Sequence, residues 1–126
     1  NMSGWYRGLF VIYQGVGATG SSTFTVNACD NVTPSNRSAI PFRYREILSG
    51  DTEGAITSAT STGFVGTVGS SKIVLIEIDA SALAPSGYGY VELTAIESVA
   101  VTSLAGVMFI VGEPRYRPAI ATTVIV

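Results

Sequence analysis

The 126-residue sequence contains no histidine. That absence removes the commonest general base, the Ser–His triad and most catalytic zinc sites together. Cys29 is the single cysteine, so no intrachain disulfide can staple the fold. No Lys or His lies near it in sequence to lower its pKa, and it reads as a small buried hydrophobe. Charged residues make up only 13%, about half the usual share. The cations are Lys72 and six scattered arginines, and at net charge −2 this balance does not favour nucleic acid. No apolar run reaches the ~18 residues of a membrane-spanning helix. The first residues lack the basic-then-apolar pattern of a signal peptide. The length fits one domain, 1–126.

What the sequence has is β-branched side chains. Val and Ile number 25 and Thr 13, against six Leu. Such side chains are stiff at χ1 and suit a pleated sheet. Fourteen glycines fall between apolar runs, where they supply turns. Strands are expected at 5–14, with Gly8 a candidate bulge, and at 23–29, where Phe24, Val26 and Ala28 share a face. In 40–48 Ile40, Phe42, Tyr44 and Glu46 fall on one face and Arg43, Arg45 and Ile47 on the other. Pro41 argues there for an edge position or a late strand start. Residues 49–62 are polar and small and read as a long loop. Further strands are expected at 63–68, 72–79, 88–95, 98–102 and 104–112, with a final apolar-rich segment at 118–126. The nearly continuous apolar run 73–78 reads as a strand buried on both sides. Asp79 is placed to cap one short turn at 80–83, stopped by Pro85 and Gly87. The expected fold is therefore all-β: an antiparallel β-sandwich, jelly-roll or immunoglobulin-like, of about eight strands with at most one short helical turn.

Candidate chemistry is thin. Nine carboxylates are scattered over the chain with no spacing that marks a glycosidase pair. Asp51 and Glu53 sit in a glycine-flanked loop, a thin ligand set for Ca²⁺. Gly15-Val16-Gly17-Ala18-Thr19-Gly20 has dinucleotide-like glycine spacing, but strand-like sequence follows where a helix is required, so it reads as a hairpin loop. Asn31-Val32-Thr33 and Asn36-Arg37-Ser38 read as chance sequons. No catalytic, cofactor or metal residue is assigned, and no enzyme activity is expected. The triplets Arg43-Tyr44-Arg45 and Arg115-Tyr116-Arg117 each put two arginines on one strand face. They suit pairing with Glu46, Glu113 or a neighbouring subunit's carboxylates better than bases or phosphates.

Three stretches carry a resemblance: Ile76-Glu77-Ile78-Asp79-Ala80-Ser81-Ala82-Leu83, Gly87-Tyr88-Gly89-Tyr90-Val91-Glu92-Leu93, and Val111-Gly112-Glu113-Pro114-Arg115-Tyr116-Arg117-Pro118. In order and spacing, over roughly residues 72–119, they resemble small virion structural proteins of tailed bacteriophages, of the capsid decoration (cement) kind. The resemblance implies a non-enzymatic protein made in the bacterial cytoplasm and carried on the capsid surface. The implied partners are the major capsid protein and copies of the chain itself, in an oligomer such as a trimer, without nucleic acid, membrane or cofactor. Interface candidates are Trp5, Tyr6, Arg43, Tyr44, Arg45, Arg115, Tyr116, Arg117, Ile120, Val124 and Val126. The apolar segment 118–126 could equally engage a neighbour or finish its own sheet. A carbohydrate-binding sandwich using Trp5, Tyr88 or Tyr90, or another head or tail component in host-surface adhesion, is the alternative expectation.

Overall fold

The computed structural model describes residues 1–15, 20–48, 50, 52–98 and 104–116. The expected strands at 98–102 and 118–126 fall mostly or wholly outside these residues. Among these residues ten strands form two antiparallel sheets packed face to face as a β-sandwich. Sheet A joins β10 (Ala105–Pro114), β1 (Trp5–Gln14), β8 (Lys72–Asp79), β4 (Phe42–Leu48) and β5 (Thr52–Glu53) in that order; β6 (Thr57–Ala59) also pairs with β4. In sheet B, β2 (Ser22–Cys29) pairs with β3 (Arg37–Ile40), β7 (Phe64–Val65) and β9 (Tyr90–Glu97).

The core follows from period-two alternation. Phe10 and Ile12 of β1, Phe24, Val26 and Ala28 of β2, and Val74, Ile76 and Ile78 of β8 all point between the sheets and are buried. Phe64 is the aromatic hub: Tyr44 stacks on it at 3.6 Å between ring centroids, with Phe24 at 5.4 Å and Phe42 at 6.1 Å. Asp79 Oδ1 accepts from Ser81 N at 2.8 Å and starts a 3₁₀ segment, Ala80–Ser86. That segment includes Pro85 and ends at Gly87, whose φ of 70° suits glycine.

Several expectations are corrected. Pro41 does precede a late strand start, with β4 beginning at Phe42, but it does not lie on a sheet edge. It is the corner where one extended run leaves sheet B as β3 and enters sheet A as β4. The hairpin expected at Gly15–Gly20 falls mostly outside the described residues; the strands on either side of it, β1 and β2, lie in different sheets. Gly8 is not a bulge: its register continues through both neighbours, Val111 and Ile78. Glycine is there because a Cβ would stand 2.7 Å from Phe109 Cζ and 3.0 Å from Met2 Sδ. Residues 49–62 carry two short strands, β5 and β6, on the free side of β4. β8 is buried on one face only; Ile73 and Leu75 are half-buried on the other.

Candidate interface surface

Sheet B covers the inner face of sheet A. The outer face is made by the alternate residues of its four long strands. The registers place Leu9 opposite Ile110 and Glu77, Val11 opposite Met108 and Leu75, and Leu75 opposite Arg45. The middle of the face is thus aliphatic. Leu9, Val11, Ile73 and Leu75 are half-buried, while Met108 and Ile110 are 59% and 47% exposed. A hollow of about 280 Å³ opens here, floored by Leu9, Leu75 and Ile110 and flanked by Ile56.

Charge on this face is confined and internally neutralised. Glu77 bridges Arg7 and Arg43, accepting from Arg7 Nη1 and standing 3.0 Å from Arg43 Nη2. Arg7 Nε also meets Glu113 at 3.3 Å, and these two carboxylates hold its guanidinium firmly protonated. Arg45 meets Glu53 at 3.0 Å. The arginines of the first triplet do share a face, but their partners are Glu77 and Glu53. Glu46 turns to the other side, where its carboxylate accepts from Thr67 N at 2.8 Å and Thr67 Oγ1 at 2.7 Å. Matched pairs around an aliphatic middle can be dehydrated without leaving a lone charge.

The structure does not bring the sequence-predicted residues together in one place. Arg43 and Arg45 lie on this face. Trp5, Tyr6 and Arg115 meet at one end of β1: the Arg115 guanidinium lies 5.4 Å from the Tyr6 ring centroid, and Arg115 Nε donates to Trp5 O at 3.2 Å. Tyr6 and Tyr116 are exposed, and Trp5, Tyr88 and Tyr90 are half-buried. Tyr44 belongs to the core through its stack on Phe64, because its parity within β4 is that of Phe42. Arg117, Ile120, Val124 and Val126 lie outside the described residues, as does Asp51; Glu53 is engaged by Arg45.

Arg7, Leu9, Ile56, Leu75, Glu77 and Ile110 escaped sequence reading. The signal was present in the unbroken apolar run of β8, but an aliphatic outer face and a covered one produce the same string.

Other titratable groups have structural partners. Burial, with help from Glu92, raises the Cys29 thiol above its ordinary range and keeps it protonated. On sheet B the Arg37 fork grips Glu92 at 2.7 and 3.2 Å and lowers its pKa. Among the described residues no three potential metal-ligating side chains cluster. Compared with known proteins, the chain matches no family model, no curated protein sequence and no solved structure.

Proposed function

We propose that this chain is a non-enzymatic structural protein of a tailed-phage virion, decorating the capsid and stabilising the head by subunit contacts. The observation that carries the contact part is the outer face of sheet A: an aliphatic middle around Leu9, Leu75 and Ile110, framed by arginines already paired to Glu77 and Glu53. Such a face loses little by dehydration and gains about 25 cal/mol for each Å² of apolar surface it buries. The virion part rests on the resemblance carried by residues 72–119. The low charge of the whole chain agrees with surfaces that spend their time against neighbours.

The reading is tested on heads of the phage that encodes this chain, assembled with and without it. Heads lacking the protein should release DNA at a lower temperature, and adding the purified protein back should restore the midpoint. Equal midpoints with and without the protein would overturn the reading.

A further inference from the structure

We infer that β10 is a self-association edge, along which a second copy of this chain adds its own β10 antiparallel. This concerns contacts between copies of the chain, gives a twofold pair where the resemblance implies an oligomer such as a trimer, and does not depend on the virion part of the proposed reading. β10 pairs with β1 on one side and with no strand among the described residues on the other. Its backbone polarity on the free side is readable. Gly15 N donates to Leu104 O, its partner in the continued register, which sets 13/106, 11/108, 9/110 and 7/112 as the hydrogen-bonded pairs. Ala105, Val107, Phe109 and Val111 therefore turn their N–H and C=O groups outward, to the open edge.

Long free edges are normally blunted by Lys, Pro, inward charges or bulges. From 104 to 112 this one has no charged residue and no proline. Instead Val107 on the inner side and Met108 on the outer side are each 59% exposed. The contrast is β9, the long edge of sheet B, which carries Glu92 and Glu97 and would bring carboxylates together if it paired with itself.

A second copy fits the β10 edge because it brings the same uncharged stretch, 104–112, while Glu113 and Pro114 at the end of β10 fall outside the pairing. Antiparallel self-pairing centred on Met108 places Phe109 opposite the second copy's Val107 and matches the whole uncharged stretch. It joins the two sheets into one and covers Val107 and Met108 from both sides. The contact is isologous, so it closes as a twofold pair and predicts an even-numbered assembly.

The test uses the full chain without capsids. Sedimentation at tens of micromolar should show a dimer or an even multiple. Val107→Pro removes an outward N–H and no β1 bond, so it should keep the wild-type far-UV spectrum and sediment as a monomer. If that variant does not fold, Met108→Cys in a Cys29→Ser background supplies the second readout. Met108 meets its own copy as a non-hydrogen-bonded pair, close enough to form an intermolecular disulfide on mild oxidation, and Ile110→Cys should not cross-link. A wild-type monomer overturns the inference. Protected Val107 and Phe109 amides in that monomer would assign the edge to another segment of the same chain, and fast-exchanging ones would leave it to a different partner. A dimer that fails to bind heads would overturn the virion reading and leave this inference standing.

Discussion

Lys72 stands directly opposite Gln14 across the β1–β8 ladder, with both side chains in the core. Neither Lys72 Nζ nor Gln14 Oε1 has a hydrogen-bond partner among the described residues. The nearest opposite charge is Glu46 Oε1, 3.8 Å from Nζ. Burial pushes the Lys72 pKa below its ordinary 10.5, with Glu46 opposing only in part.

The first prediction concerns that ammonium. Lys72→Met should match or exceed the wild-type Tm at pH 7, because Glu46 keeps both of its Thr67 hydrogen bonds. A lowered folded-state pKa means that the unfolded chain holds more protons between the folded value and 10.5, so stability rises with pH across that window. Below the window the full penalty remains. The gap between variant and wild type should therefore narrow as pH rises toward 10.5; a pH-independent gap would contradict the assignment.

At the acid end the slope has the same sign, so stability falls as pH is lowered. Asn36 lowers the Asp30 pKa, Ser81 that of Asp79, and Arg37 that of Glu92. Their stabilisation is complete above the ordinary carboxylate range near pH ~4 and is lost as pH falls through the lowered folded values. Asp79→Asn keeps a competent cap at neutral pH, so it should change Tm little at pH 7 and flatten the loss below pH ~4. Melting curves from pH 7 downward read both effects.

Gly63 should tolerate no side chain. Its φ is +80°, and a Cβ there would lie 2.1 Å from Phe24 O. Backbone strain and the clash add, so Gly63→Ala should cost about 3 kcal/mol or more by denaturant titration. A cost below about 1 kcal/mol would mean that this turn is built differently.

Two tyrosines from the predicted interface set should separate. Tyr44→Ala removes the ring stacked on Phe64 and should cost about 2–4 kcal/mol. Tyr116 is 79% exposed, and Tyr116→Ala should stay within about 0.5 kcal/mol of wild type. Equal costs would return Tyr44 to the surface.

Local periodicity made much of the fold legible. The ends of β1 and β8, the buried face Phe24–Val26–Ala28 and the Asp79 cap all follow from alternation and capping chemistry within a few residues. Long-range pairing was less legible. Nothing local to Pro41 says that the chain changes sheet there, and nothing local to residues 49–62 says that β4 offers a free side for β5 and β6.

The candidate surface was half legible, for a related reason. Arg43 and Arg45 could be placed on one face from parity alone, but their partners come from other strands: Glu77 on β8 and Glu53 on β5. Tyr44 was flagged for its type, while its position in the alternation already aligned it with Phe42. The aliphatic face was hidden because apolar residues on both sides of β8 read the same whether a second layer covers them or a partner does.

For the proposed decoration role, the most direct measurement is co-sedimentation with undecorated tailed-phage heads, comparing wild type with Leu75→Glu. Leu75 lies at the floor of the outer-face hollow, and a carboxylate there would need dehydration for any neighbour to dock. Wild type should pellet with heads at saturating stoichiometry. The variant, with an unchanged far-UV spectrum, should remain in the supernatant. Wild type that stays in the supernatant, or a folded variant that pellets equally well, would contradict the account.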